Sequence, residues 1–180
     1  MDDGRARAPE DDHMPKGPAA RIGDMTAHGS PLAPGLPSKD VMIGKQPAWL
    51  GLTAAGLAVL TKVIEEGVKK IAEAAEKVTK AAALGPPAQA AAAANLVDVT
   101  AQVAMDTAAA MTSLVAGGVS QHACPVVKVA IPDGIGLVIN PSSTVIINGW
   151  GACRLGDTIQ EVSSVNTIAA PCCATVIIGG

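Results

Sequence analysis

Three short segments of this chain share one pattern, and this repetition is the strongest constraint on its fold. Each begins with Pro followed by Ser or Cys, continues into a β-branched run and stops at Gly or Asn-Gly. The segments are 37–44, 141–149 and 171–180, the last with one inserted residue. A β-branched run between turn residues is typical of a short strand, so the repeat predicts equivalent strands.

A second repeated element precedes two of these strands. Arg21-Ile22-Gly23-Asp24 returns as Arg154-Leu155-Gly156-Asp157, at nearly the same distance before the next strand. An Asp side chain can bond nearby backbone amides and so fix a turn. Repetition at a short period indicates one supersecondary unit arranged around an axis, and three copies predict pseudo-threefold symmetry.

The segment 50–118 has a different pattern. Apolar residues at steps of three, four and seven predict an amphipathic helix over 52–84. On its solvent-exposed face, Glu residues stand four positions before Lys residues, a spacing that favours ion pairs along a helix. Gly85-Pro86-Pro87 ends it, and an Ala-rich helix is expected over 88–115 before Gly117-Gly118. Charged residues interrupt both helices too early for a membrane span, so the sequence predicts an αα-hairpin inserted between the repeats.

The composition limits both the core and the partners. The 180 residues include no Phe or Tyr, and only Trp49 and Trp150 are aromatic, so a core must be built from closely spaced aliphatic side chains. A net charge of −3 without aromatic platforms argues against nucleic-acid binding. The N-terminal residues 1–15 are mixed in charge, contain no apolar signal sequence and are expected to be disordered. The chain is expected to begin in the cytoplasm, where its four cysteines are thiols or metal ligands rather than disulfides.

Three motifs suggest a family when they are read with the repeats. Pro18-Ala19-Ala20-Arg21 leads through Ile22-Gly23-Asp24 into Thr26-Ala27-His28-Gly29, and His122-Ala123-Cys124-Pro125 follows the helical insert. Together these motifs resemble the PAAR-repeat proteins, which cap the spikes of type VI secretion and related contractile injection systems.

The resemblance covers residues 16–49 and 120–180 and implies both a fold and a partner. The implied fold is a mainly β cone of short hairpins with pseudo-threefold symmetry, α+β overall because residues 50–118 interrupt it. Residues 16–49 and 119–180 would form the two parts of the cone. Its blunt base would dock on a trimeric VgrG-like spike protein, and its vertex would point outwards.

The resemblance also implies a zinc ion that staples the cone near its vertex. Small domains with little core often need such a staple. His28 and His122 match ligand positions of the family, and Cys173, before the last strand, is the third expected ligand.

The fourth ligand is left open by the sequence. Relatives often have a His where this chain has Asp133, which could ligate through oxygen. Alternatively Cys124 supplies a thiolate, Cys172 replaces Cys173 if the insertion shifts the register, or the position stays open.

Other candidate residues are expected to be structural. Cys153 is interpreted as a small buried hydrophobe. Glu161 stands four residues after its Gly-Asp, as His28 does, but is expected to be a turn or surface carboxylate. His13 is not a candidate ligand because it lies in the charged N-terminus.

The function expected from this reading is mechanical rather than enzymatic. The protein would cap the spike, be fired with it through a target envelope and contact the target membrane only transiently. Because the chain ends at the last repeat, any effector or chaperone is expected to be a separate protein, recruited through the helical hairpin. Two alternatives remain: a self-associating helical adaptor with a β-cap, and a zinc-dependent hydrolase using an open metal position.

Overall fold

The computed structural model describes residues 15–33, 35–128 and 131–180. It is α+β, as expected, with two helices within a series of short antiparallel strands. The prediction of a disordered segment 1–15 falls almost entirely outside the described residues. The elements in chain order are β1 (Gly17–Ala19), β2 (Met42–Ile43), β3 (Gln46–Pro47), β4 (Leu50–Gly51), α1 (Ala54–Ala82), α2 (Pro86–Ala116), β5 (His122–Lys128), β6 (Ile131–Val138), β7 (Ile146–Ile147), β8 (Trp150–Ala152), β9 (Thr158–Glu161), β10 (Val165–Thr167) and β11 (Cys173–Ile178).

The three repeated runs form strand pairs with one register. Ile43 pairs with Gln46 in β2–β3, Ile147 with Trp150 in β7–β8, and Ile178 with Gly17 in β11–β1. In the first two pairs the connecting turn has two residues with positive φ, the backbone that a tight hairpin requires. The third pair joins the first and last strands, so both ends of the described chain lie in one unit.

The segments that follow these pairs are hydrogen-bonded in a closed ring. The amide of Ala20 donates to the carbonyl of Cys153 at 2.9 Å, Cys153 to Trp49 at 3.1 Å, and Trp49 to Ala20 at 3.0 Å. Each segment therefore supports the next, although the helical insert separates them in sequence.

One hydrophobic layer adjoins this ring, and a second contains it. The first contains one Ala, one Ile and one partly buried Val from each unit: Ala19, Ala48, Ala152, Ile43, Ile147, Ile178, Val41, Val145 and Val176. The second surrounds Ala20, Trp49 and Cys153 with Leu32, Ile159 and Ile168.

Cys153 is fully buried in this second layer, which raises the pKa of its thiol well above its usual range. The prediction that it is a small core residue is confirmed.

The repeated Arg-apolar-Gly-Asp turns have matching hydrogen bonds. The amides of Arg21 and Arg154 donate to the carboxylates of Asp24 and Asp157 at 2.8 and 2.9 Å. Each guanidinium also bonds the same carboxylate, and the Gly before each Asp has φ above 80°. The predicted role of both Asp residues in fixing a turn is confirmed.

Burial of Asp157 gives stability a pH dependence that can be measured. Asp157 is almost fully buried, and burial raises its pKa from 3.8 to about 6 despite its bonds to Arg154. A raised carboxyl pKa stabilises the fold at low pH, and this contribution is lost as pH rises from about 4 through 6. We expect the stability of wild type relative to Asp157→Asn to fall by about 2 kcal/mol between pH 4 and 7.5 in urea unfolding. A constant difference across this range would contradict the assignment.

The helical insert is the predicted αα-hairpin. Helix α1 begins after Thr53, whose side chain caps the amide of Gly56, and α2 begins at Pro86 directly after Gly85. The predicted bounds are correct to within about two residues. Small residues allow the helices to approach closely: a Cβ on Gly67 would lie 2.5 Å from Val103. Neither helix has the length and apolar character needed to cross a bilayer.

The half of the hairpin nearest its connections to the strands, the start of α1 and the end of α2, packs on the β part. Leu60 of α1 and Met111 of α2 form a third core cluster with Leu137 of β6, against which Ile64 and Val162 also pack. Beyond Gly67, the buried residues of α1 are only Ala74 and Ala81. Contact with the β part is therefore concentrated near the helix ends that join it.

Candidate metal centre

Four side chains with metal-binding atoms converge beside the second hydrophobic layer. They are His28, Cys124, Asp133 and Glu161, and one ligand atom from each lies within 4.8 Å of all the others. The group is drawn from three segments that are far apart in sequence. It could hold a metal ion.

Strand pairing brings three of these residues together. Cys124 on β5 lies opposite Gly134, the neighbour of Asp133 on β6. On the other side of β6, Gly136 pairs with Glu161 of β9. These three ligand candidates therefore lie on adjacent strands of one sheet, whose order is β10-β9-β6-β5.

His28 reaches the group from a separate loop. The amide of Ala27 donates to the carbonyl of Thr167 at 2.9 Å, and that of His28 to the side-chain oxygen of Asn166 at 3.3 Å. This loop follows the first Arg-apolar-Gly-Asp turn, as β9 follows the second. The two equivalent turns thus deliver His28 and Glu161 to one place.

The interatomic distances suit a tetrahedral metal. His28 Nδ1 lies 3.1 Å from Glu161 Oε2, 3.6 Å from Asp133 Oδ2 and 3.6 Å from Cys124 Sγ. Cys124 Sγ lies 3.9 Å from Asp133 Oδ2. Zinc bond lengths and tetrahedral angles place such ligand atoms about 3.3–3.6 Å apart.

Burying these ionisable side chains without a cation costs free energy. Asp133 and Glu161 are completely buried and Cys124 nearly so, whereas His28 is 22% exposed. Burial raises the pKa of the Cys124 thiol, and the carboxylates of Glu161 and Asp133 raise it further. A divalent cation would favour the thiolate and both carboxylates together.

The remaining carboxylate oxygen sites are held by polar neighbours. Glu161 Oε1 accepts from Asn166 Nδ2 at 2.8 Å, and Oε2 accepts from Ser164 Oγ at 2.7 Å. Asp133 Oδ1 accepts from Ser163 Oγ at 2.6 Å, while Oδ2 faces His28 and Cys124. Such partners orient metal ligands and are typical of built metal sites.

His122 lies behind the group rather than within it. Its Nε2 is 3.1 Å from Glu161 Oε1, while its buried Nδ1 has no hydrogen-bond partner within the described part of the chain. Burial lowers the pKa of this imidazole, which favours a neutral ring whose Nε2–H donates to Glu161. The structure therefore places this expected ligand as a support for Glu161.

The expected ligand Cys173 and its neighbour Cys172 lie elsewhere. Cys173 on β11 pairs with Ala19 and belongs to the first hydrophobic layer. In the other two units the same position is a serine. The amide of Ser38 donates to the carbonyl of Ala48, and that of Ser142 donates to the carbonyl of Ala152. Cys173 therefore stands where the other units have Ser. Cys172 packs against the second layer, and burial raises the pKa of its thiol to about 11. All four cysteines are described and free.

The expectation that Glu161 is a turn or surface carboxylate is wrong. It is a fully buried strand residue that contacts His28, His122, Ser164 and Asn166. The sequence contained the signal, because Glu161 and His28 occupy the same position after the repeated turn. Carboxylates at turns are usually solvated, so this position alone does not predict burial.

Comparison with known protein families, curated proteins and solved structures gives no match for this chain.

Proposed function

We propose that this chain is a PAAR-type spike tip: a pseudo-threefold β cone that caps a trimeric, VgrG-like spike of a contractile injection system. The observation that carries the proposal is the convergence of four metal-binding side chains from three segments, two of which follow the repeated Arg-apolar-Gly-Asp turn. A metal there would tie the segments together where little core can form. This is a mechanical role for the site.

The metal that suits this group is zinc. One imidazole, one thiolate and two carboxylates in a compact set are ligands that zinc accepts. The ion would bridge His28, the β5–β6 hairpin and β9. Because four protein ligands complete a tetrahedron, whereas a catalytic zinc keeps an open position, we do not extend the proposal to hydrolysis.

Threefold character is supported by the repeated contacts of the β part. Three strand pairs share one register, and the ring of Ala20, Trp49 and Cys153 closes cyclically. Ala19 and Ala20 are adjacent but belong to the first and second layers, and Ile159 of the second layer stands two residues before Glu161. The order along the proposed cone is therefore first layer, second layer and metal group, which puts the base at the first layer.

The proposed base carries an apolar residue at the same position of each strand pair. Met42, Ile146 and Ile177 are 55%, 55% and 58% exposed. Nearly equal exposure at equivalent positions suits a threefold partner, because each subunit of a trimer could cover one of them. Before firing this complex would form in the cytoplasm, and the tip would then be translocated with the spike.

Ile146→Asp is expected to weaken binding to a trimeric VgrG-like spike at least about tenfold, because the complex would bury a charge in place of an apolar side chain. A calorimetric titration with the spike protein measures the change in the dissociation constant. Val97→Asp on α2, at a site 67% exposed, is the matched control and should bind as wild type. Equal affinity of Ile146→Asp and the control would contradict docking through this surface.

A second candidate function is favoured by the outer face of α2. Val97 and Met105 are exposed there, 67% and 58%, within an Ala-rich helix, and they could support self-association of a helical adaptor. Sedimentation of the isolated protein distinguishes the adaptor from the spike cap. A stable oligomer without spike protein favours the adaptor, and a monomer favours the cap, with the hairpin left to recruit an effector or chaperone.

A further inference from the structure

The turn 162–164 between β9 and β10 contacts the metal group on one side and the helical hairpin on the other. On the metal side, Ser163 donates to Asp133 and Ser164 to Glu161, at 2.6 and 2.7 Å. The amide of Val162 also donates to the carbonyl of Asp133 at 2.9 Å. The turn is thus tied to both carboxylates of the group.

On the other side, the same turn supports the hairpin. The Val162 side chain packs against the third core cluster, which includes Leu60 of α1 and Met111 of α2. A groove of about 520 Å³ lies between the turn and the two helices, and Ile64, Ile71 and Thr100 are among its lining residues. Movement of the turn would change the surface on which both helices rest.

Two serine bonds connect the turn to the charged side chains of the metal group. Two fully buried carboxylates lie within 4.8 Å of one another, and a bound cation would offset the repulsion between them. Ser163 and Ser164 each bond a different member of the pair. Without the cation, repulsion between the carboxylates would therefore strain these two bonds and loosen the turn that packs against the hairpin.

We propose that metal binding and docking of the helical hairpin are coupled through residues 162–164. With metal bound, the turn is fixed and the hairpin is held along the β part; without it, the hairpin loosens while the strand pairs persist. Beyond Gly67 the buried residues of α1 are only Ala74 and Ala81, so α1 is held on the β part mainly by its first half, next to this turn. This inference rests on the metal site proposed above.

Hydrogen exchange of the full chain, read by mass spectrometry with zinc bound and after chelation, tests the coupling. Amides of 60–71 and 100–111 should exchange at least about fivefold faster without zinc, the lower end of typical coupling between sites. Amides of 41–48, in the β2–β3 pair, serve as the internal reference and should change little. A uniform rise across the chain would indicate global unfolding and would overturn the proposal.

A serine variant separates the coupling from zinc binding. Ser163→Ala with Ser164→Ala keeps all four ligands but loses two bonds that orient them, so we expect it to bind zinc about 10–100-fold more weakly. With zinc added until the variant is saturated, measured in the same samples, the zinc-dependent difference in hairpin exchange should shrink. Ser113→Ala, at an exposed serine of α2, is the matched control and should behave as wild type. Zinc-loaded wild type with no exchange difference overturns the coupling and leaves the site intact, whereas failure to bind zinc overturns both.

Discussion

Chelation of zinc is expected to lower the melting temperature of the protein by about 10 °C. Free zinc at a thousand times its dissociation constant stabilises the folded state by about 4 kcal/mol. For a chain of this size each kcal/mol shifts the melting temperature by about 2–4 °C. The effect is large because the ion would tie His28 to a sheet that otherwise holds its loop by few hydrogen bonds.

Glu161→Gln tests whether that effect arises at the proposed site. The amide fills the same space but removes one of the two buried carboxylates, so we expect the variant to bind zinc weakly and to respond little to chelator. Glu73→Gln on the exposed face of α1 is the matched control and should respond as wild type. A Glu161→Gln protein that loses as much thermal stability on chelation as the control would place the metal elsewhere.

Trp49→Ala is expected to lower the free energy of unfolding by about 3–5 kcal/mol, the usual cost of removing a buried aromatic side chain. Trp49 is 1% exposed and shares the second layer with the much smaller Ala20 and Cys153. In a chain with two aromatic residues, no large neighbour can fill the cavity. Urea unfolding measures the loss.

Two further variants calibrate this prediction. Trp49→Phe should cost clearly less than Trp49→Ala because a ring remains in the layer. Val97→Ala, at an exposed site on α2, should change stability by no more than about 0.5 kcal/mol. A loss below about 1 kcal/mol for Trp49→Ala would contradict a core built around this side chain.

The repeat made the β part predictable from sequence. Pro-bounded β-branched runs and the Arg-apolar-Gly-Asp turns are local signals, and the structure retains them as strand pairs and turns. The hairpin was equally predictable because helix periodicity and Gly85-Pro86 are also local. Pairing of β11 with β1 follows from long-range packing, which repeated sequence suggests but does not specify.

The candidate site was predictable only in part. His28 was expected as a ligand, and Cys124 and Asp133 were open alternatives for the fourth position; all three lie in the group of four. Cys173 was favoured from the family resemblance, but its register with Ala19 places it where the other units have Ser. The position of Glu161 was visible in the repeat, whereas its burial depends on His122 and Asn166 from other segments.

The zinc content of purified wild type, Cys124→Ala and Cys173→Ala is the most direct test of the proposed metal centre. We predict about one zinc per chain in wild type and in Cys173→Ala, and its loss from Cys124→Ala, because Cys124 belongs to the four-ligand group and Cys173 to the first hydrophobic layer. Wild type that folds without zinc, or zinc that is lost with Cys173 and kept without Cys124, would contradict the proposed centre.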